Sequence, residues 1–283
     1  MLKELPIRIH KLRKLQILRL SYCLKIQKLP ESIIYLVNLN ELDIGGCCRL
    51  SELPDDLSGM KNLMQLNMEG CAALTRMPSG IRQWINLQSL RGIDVVDGHG
   101  NIMLSELQDL KNLESLHIQH LERRCATLPP LGVLPQLEEV TISGFDLVRV
   151  IDDEFYGEDR KPFVFLELRK LTFSEMPRLE MWLGMKSMPR LEKGLGMKSI
   201  RRHCLFAKLE ELTLIQCPKL MVFLVQFPTS SQLKLKLWLS NEMLMPTSKF
   251  NSWSNLGGIN MLQIFGCQEL RNLPNDIRNI QNL

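Results

Sequence analysis

The chain has 283 residues, of which 45% are hydrophobic and 23% charged, the ordinary balance of a globular protein. Its net charge of +4 is too small to imply nucleic-acid binding. No apolar run is long enough to span a bilayer, no secretory h-region opens the chain, and no N-x-S/T acceptor occurs, which points away from membrane and secreted classes.

The charge is uneven. Residues 1–30 carry eight cations (Lys3, Arg8, Lys11, Arg13, Lys14, Arg19, Lys25, Lys28) against the single acid Glu4, a net of +7 that leaves −3 on the remainder. A solvated face explains this, and docking to an acidic partner is the alternative. Within the same stretch Leu5-Pro6, Ile9, Leu12 and Leu15 read as the back half of a repeat. The full unit then recurs. Leu15, Leu39, Leu63 and Leu87 stand one period of 24 apart, as do Leu18, Leu42, Leu66 and Leu90, Cys23, Cys47 and Cys71, and Pro6, Pro30, Pro54 and Pro78. One unit reads L-x-x-L-x-L-x-x-C-x-x-L-x-x-L-P-x-x-I-x-x-L-x-x. A fixed period of this length with this leucine spacing is the signature of a leucine-rich-repeat solenoid.

The expected fold is therefore α/β: a right-handed horseshoe with a parallel sheet on its concave face and short helices or irregular turns on its convex face. Each x-L-x-L-x segment supplies one strand, with leucines inward and x residues in solvent. Each L-P-x-x-I-x-x-L half turns back over the convex side, its proline starting a short helix.

Regular repeats run over 5–90. Asp94 to Asn101 is polar and glycine-rich and reads as a loop. Degenerate repeats follow over 102–240, with cores at Leu113/Leu116/Ile118, Leu137/Val140/Ile142, Leu168/Leu171/Phe173 and Leu209/Leu212/Leu214, then a strictly alternating strand, Leu233 to Leu239, of uncertain register. Within that stretch Met176–Ser187 is nearly repeated at once as Met188–Ser199, identical at ten of twelve positions. Twelve residues are half a coil, so the tandem-duplicated segment 176–199 reads as a bulge from a connection. One more regular repeat occupies 259–283. The whole, 1–283, is expected to form one domain. With no polar capping repeat at either end, it reads as a piece of a longer protein.

Five of the eight cysteines, Cys23, Cys47, Cys71, Cys217 and Cys267, each follow an L-x-L core by three residues. Equivalent positions on successive coils form a ladder, so these are expected to be buried free thiols in a reducing compartment. No phosphate loop, dinucleotide fingerprint or nucleophile elbow is present, so no cofactor and no enzymatic activity are expected. His117 and His120 with Cys125 loosely suggest a metal site, but no fourth ligand is spaced to join them, and no metal is expected.

Specificity should lie in the exposed concave rows. Stacked coils place Arg19, Asp43, Asn67 and Arg91 in one row, Ile17, Glu41, Gln65 and Ser89 in the next, and Ser21, Gly45, Glu69 and Ile93 in a third. Neighbours in a row are about 4.8 Å apart, so Arg19 and Asp43 are expected to pair, and Glu41, Asp43 and Glu69 to make an acidic middle. With His117, Glu139 and Lys170 on the later strands, the candidate partner-binding residues are Arg19, Glu41, Asp43, Gln65, Asn67, Glu69, Arg91, His117, Glu139 and Lys170. The alternative is an ordinary mixed polar face.

Four stretches carry a resemblance: L-P-x-x-I-x-x-L-x-N-L-x-x-L at Leu29–Leu42 and, with Met77 for Leu, at Met77–Leu90; Leu128–Pro135 (LPPLGVLP) leading through Val140–Ile142 to Glu154–Gly157 (EFYG); Leu171–Trp182 (LTFSEMPRLEMW); and Leu212–Leu220 (LTLIQCPKL). The chain resembles the leucine-rich-repeat region of plant intracellular nucleotide-binding disease-resistance proteins of the coiled-coil class. The resemblance implies a cytoplasmic role in innate immunity, in which the repeats bind a pathogen effector or an altered host protein and restrain a nucleotide switch on the parent protein's nucleotide-binding domain. Two alternatives stay open: a substrate-binding adaptor of a ubiquitin ligase, whose repeats also use Cys at the ladder position, and a truncated, non-functional resistance-gene product. A cell-surface receptor ectodomain would want a signal peptide, paired-Cys caps and glycosylation acceptors.

Overall fold

Each described coil opens with a short run that alternates apolar and polar residues, and a left-handed residue follows the run, glycine at Gly46, Gly70, Gly144 and Gly266 but Tyr22, Glu175, Gln216 and Leu239 elsewhere. The computed structural model describes residues 2–74, 80–94, 107, 109–119, 126–157, 164–184, 205–225, 227, 232–239 and 258–267. Outside that set lie Pro78, the run 95–101, His99, His120, Cys125, Cys204, His203, residues 185–199 of the duplication and 268–283 of the last repeat. The chain divides into two compact units, 1–122 and 123–283.

In the first unit, strands β1 (Ile17–Arg19), β2 (Glu41–Asp43), β3 (Gln65–Asn67), β4 (Ser89–Asp94) and β5 (Ser115–Gln119) pair in parallel in chain order. Leu18, Leu42, Leu66 and Leu90 stand in register, so the 24-residue leucine period is the strand register from β1 to β4, and Leu116, 26 residues on, joins the same line. Leu42, Leu66, Leu90 and Leu116 are buried. Replacing such a leucine by alanine removes contacts that the surrounding layers cannot restore, at about 2–5 kcal/mol. Asp94, read as the start of a loop, is the last residue of β4 and pairs with Gln119.

The turning half of the coil is 3-10 rather than α-helix. Pro6 and Pro30, both extended, precede 3-10 segments at Ile7–Lys11 and Glu31–Tyr35, and Gly80 precedes Ile81–Gln83. Proline suits this place because its fixed φ starts the turn and its missing N–H would have no helical partner. No such segment follows Pro54. There the Asp56 carboxylate takes both the backbone N–H and the hydroxyl of Ser58, closing the turn through a side chain.

Two ladders of side chains tie coil to coil. The Cys47 thiol donates to the Leu20 carbonyl at 3.2 Å and the Cys71 thiol to Ile44 at 3.1 Å. In the second unit Cys217 faces the Phe173 carbonyl at 3.8 Å. These three are buried free thiols, whereas Cys23 and Cys267, expected to match them, are half-buried. The second ladder is asparagine: Asn38, Asn62, Asn86 and Asn112 each donate to a carbonyl of the preceding coil, at Arg13, Val37, Lys61 and Ile85, over 2.7–3.0 Å. The asparagines satisfy carbonyls in the turning halves of the coils, while the thiols add a second donor to the Leu20 and Ile44 carbonyls, which already accept from the N–H of Cys23 and Cys47.

The second unit repeats the plan with β6 (Glu139–Ser143), β8 (Lys170–Ser174), β10 (Glu211–Ile215), β12 (Leu233–Trp238) and β13 (Ile259–Phe265), all parallel. Val140, Leu171, Leu212, Leu235 and Leu262 share one register line, which places the alternating strand Leu233–Trp238 unambiguously. Three further short strands, β7 (Val150–Ile151), β9 (Met181–Trp182) and β11 (Val222–Phe223), form a second parallel sheet. Residues 176–184, the described part of the first copy of the duplicated segment, are therefore built into a coil: Met176, Leu179 and Trp182 are buried, and β9 is the centre of the second sheet.

The same unit explains its own sequence motifs. A short helix, α1 (Asp153–Tyr156), is capped by Asp152 and places Phe155 and Tyr156 inward. They join Phe165, Phe173, Trp182, Phe206 and Phe227 in an aromatic core, with neighbouring ring centroids 5.1–6.4 Å apart. Trp182 Nε1 donates to the Tyr156 hydroxyl at 2.9 Å, and that hydroxyl donates to the Leu183 carbonyl at 2.7 Å. Gly132, the glycine of LPPLG, lies directly on the tyrosine of EFYG. A Cβ there would stand 2.2 Å from the Tyr156 carbonyl oxygen and 2.3 Å from Val164 Cγ1. The two distant motifs occur together because their backbones touch.

Candidate protein-binding face

The solvent side of each strand run is a grid of rows in which neighbours stand about 4.8 Å apart, the spacing of parallel pairing. In the first unit Ile17, Glu41, Gln65, Ser89 and Ser115 form one row, and Arg19, Asp43, Asn67, Arg91 and His117 the next. Gln65, Arg91 and Glu69 are exposed, and Glu41, Asp43 and Asn67 half-buried.

The expected Arg19–Asp43 pair does not form. Arg19 Nε and Nη2 donate instead to Glu41 Oε1 and Oε2, at 2.6 and 3.0 Å, and that carboxylate holds the guanidinium pKa above its usual range. Asp43 is occupied. Its carboxylate accepts from the Ser21 hydroxyl, from the Gly45 N–H at 3.0 Å and from Asn67 Nδ2 at 2.9 Å. Three neutral donors fixed by the coil satisfy Asp43, which frees Arg19 for the bidentate geometry that Glu41 offers.

The third row also differs. Ile93, expected in solvent, is fully buried. A register shift between Arg91 and Ile93 puts Gly92 on a bulge with φ of 77°. A Cβ at Gly92 would meet the Glu69 N at 2.3 Å, so only glycine fits. The bulge turns Ile93 inward, where it pairs with Ile118. Across this gap His117 Nδ1 lies 3.4 Å from Glu69 Oε2, and the imidazole is only 17% exposed rather than open to solvent. The expected acidic middle is thus partly answered from within: Glu41 by Arg19 and Asp43 by three donors.

In the second unit one row alternates in sign, Glu139, Lys170, Glu211 and Lys234, and a threonine row, Thr141, Thr172 and Thr213, lies beside it. Lys170 pairs with Glu139, whose hydrogen bond and charge raise the ammonium pKa. Glu211 pairs diagonally with Lys236 at 2.7 Å and accepts from the Thr213 hydroxyl at 3.3 Å. That leaves Lys234 exposed and with no acidic partner among the described residues. The next row holds Ser143, Ser174, Ile215, Trp238 and Phe265. Trp238 and Phe265 are 44% and 45% exposed, with ring centroids 4.8 Å apart. Neither was among the candidates read from sequence. The signal was there in LKLKLW, whose alternation puts Lys234, Lys236 and Trp238 on one face, but the face is known only once Leu235 is seen to pair with Leu212.

Among the described residues no group of three His, Cys, Asp or Glu side chains could hold a metal. No helix among them is long and apolar enough to cross a membrane. What the rows can do chemically is present fixed hydrogen-bonding and charged groups to another surface.

The Leucine-rich repeat region family matches residues 5–193. The chain is 28% identical over 193 residues, 66% of its length, to the disease resistance protein RGA1 of Solanum bulbocastanum, of which those residues make 17%. It is 32% identical over 103 residues, 34% of its length, to the disease resistance RPP13-like protein 1 of Arabidopsis thaliana, of which they make 8%. The chain thus spans less than a fifth of these curated relatives. Among solved structures it is similar to a leucine-rich-repeat protein of Leptospira interrogans (19% identity, all of this chain and 86% of that one, TM-score 0.35). It is also similar to the functional domain of InlJ of Listeria monocytogenes, which includes a cysteine ladder (12% identity, 93% of this chain and 51% of that one, TM-score 0.44). The register-locked leucines, the ladders and the family match agree: the chain belongs to the leucine-rich repeat region family, and its curated relatives are plant disease resistance proteins.

Proposed function

We propose that the chain is the recognition and regulatory module of a plant disease-resistance protein. Its exposed strand rows bind a pathogen effector or a host protein, and its repeats restrain a nucleotide switch carried elsewhere in the parent protein, in the cytoplasm. The observation that carries the reading is the exposed grid in each unit, where ion pairs and hydrogen bonds hold Arg19, Glu41, Asp43, Glu139 and Lys170 in place before any partner arrives. Groups already ordered lose less entropy on binding, which favours recognition over a merely solvated surface. The likeness to RGA1 supplies the setting.

A leaf assay tests it. The chain replaces the repeats of the Solanum relative, and the chimera is co-expressed with a panel of pathogen effectors. The expected result is silence at rest, cell death with one effector, and loss of that response, with silence kept, when Glu41, Gln65, Glu139 and Lys170 become alanine. Death at rest would remove the restraint. A response indifferent to the four substitutions would remove these rows as the recognition face.

A further inference from the structure

We propose that Trp238 and Phe265, with Lys234 and Lys236 on the same face of β12, anchor an extended segment of a protein partner that carries a carboxylate and a bulky apolar side chain about four residues apart. This rests on the recognition reading above and names the chemistry of the ligand. Three observations lead to it.

The first is the pairing of two large aromatics in solvent. Ile215, Trp238 and Phe265 are register neighbours on β10, β12 and β13, and the two rings touch at 4.8 Å. Among the described residues Phe155, Tyr156, Phe165, Phe173, Trp182, Phe206 and Phe227 of the same unit turn inward and are buried. Leu239, at 45% exposed, extends the patch past the strand end, where it packs over Gly266. Exposed tryptophan flanked by apolar neighbours is the composition of an interface anchor, because one flat ring supplies a large desolvated area with few rotamers to fix.

The second is the charge beside the patch. Lys236 is two residues from Trp238 and Lys234 four, all on one face of the strand. Lys236 is held by Glu211, but Lys234 has no acid among the described residues. At about 3.3 Å per residue, Lys234 and Trp238 stand about 13 Å apart, the span of about four residues of an extended ligand. A carboxylate over Lys234 and an apolar side chain over the Trp238–Phe265 pair would be satisfied together.

The third is what this charge disfavours. A second copy of the chain meeting itself here about a two-fold axis would bring two sets of Lys234 and Lys236 together, like charge on like. An acidic segment meets no such repulsion.

The test selects random dodecapeptides displayed on phage against the full 283-residue chain, then measures the enriched peptides as synthetic ligands by fluorescence anisotropy. The expected peptides carry Asp or Glu with an aromatic or branched aliphatic residue about four positions away. Trp238→Ser should weaken them at least about tenfold, the loss of one hot-spot side chain. Lys234→Glu should weaken them several-fold and, on reselection, enrich basic peptides instead. Both residues are exposed, and unchanged melting curves confirm that the variants fold. Peptides without acidic bias, peptides indifferent to Trp238→Ser, or a wild-type dimer in sedimentation that Trp238→Ser dissolves would each overturn the anchor. The leaf assay separates this from the broader reading: an effector response that survives Trp238→Ser but not the Glu41, Gln65, Glu139 and Lys170 substitutions removes the anchor and leaves recognition standing.

Discussion

Gly132→Ala tests whether the two family motifs of the second unit are one packing feature. The added Cβ would sit 2.2 Å from the Tyr156 carbonyl oxygen and 2.9 Å from its carbon, so one backbone must move by about 1 Å to restore van der Waals contact at about 3.4 Å. Tyr156 cannot yield alone. It is buried among Phe155, Phe165 and Phe206, and its hydroxyl is held by Trp182 and Leu183. Overpacking of this kind costs about 1–3 kcal/mol, and a strained or broken hydrogen bond adds about 1 kcal/mol. The sum is about 3 kcal/mol, close to a hundredfold in a local opening equilibrium. Because neighbouring coils couple only to one another, the loss should stay local. Amide hydrogen exchange of the full chain is the assay: residues 131–156 and 165–183 should exchange about a hundredfold faster, while 17–67 keep wild-type rates. Unchanged rates at 131–156 would show that the contact is not restrictive. A uniform acceleration that includes 17–67 would show that the chain unfolds as a whole and that the local argument is wrong.

Other consequences can be measured on the same protein. Burial pushes the Cys71 thiol up to about 11 and the Cys217 thiol up to about 12, so at pH 8 a thiol reagent should label exposed Cys48 well before either, and equal rates would contradict the ladder. The sign with pH follows: above about pH 9 the unfolded chain loses these protons while the folded chain keeps them, so stability should fall between about pH 9 and 12. Cys71→Ala and Cys217→Ala together should flatten that slope, and a persistent slope would place its origin elsewhere. Leu66→Ala should cost about 2–5 kcal/mol in urea unfolding, while Gln65→Ala, one residue away on the exposed side, should stay within about 0.5 kcal/mol. Comparable losses would mean that the strand faces are assigned the wrong way round. Asn62→Ala should cost about 1 kcal/mol by orphaning the Val37 carbonyl, and no effect would demote the asparagine ladder to ornament.

The strand register of the first unit was legible because Leu18, Leu42, Leu66, Leu90 and Leu116 must share one inward-facing line, and a slip of one residue would send them all toward solvent. What the period could not carry was any local break in it. Gly92 inserts a bulge, and Ile93 leaves the exposed row for the core. Side-chain pairing was less legible still. Adjacency along the row suggested Arg19 with Asp43, yet the choice was made by donors two and twenty-four residues from Asp43, Gly45 and Asn67. The asparagine ladder was visible as the N of L-x-N-L but had no assigned work until its carbonyl partners on the preceding coil were seen. Trp238 and Phe265 escaped notice because they are 27 residues apart, off the 24-residue step, and become neighbours only through a register irregularity at the start of β12.

The proposed function places recognition on the solvent side of the strands and not on the turning halves of the coils. The most direct measurement takes the leaf chimera with its responding effector and compares two sets of alanine substitutions of equal size, each shown to leave the melting temperature unchanged. One set removes Glu41, Gln65, Glu139 and Lys170 from the strand rows. The other removes Glu31, Gln83, Glu154 and Arg178 from exposed positions on the turns. The account predicts that the first set abolishes the effector response and the second leaves it intact. The reverse pattern, a response lost with the turn residues and kept without the row residues, would contradict it.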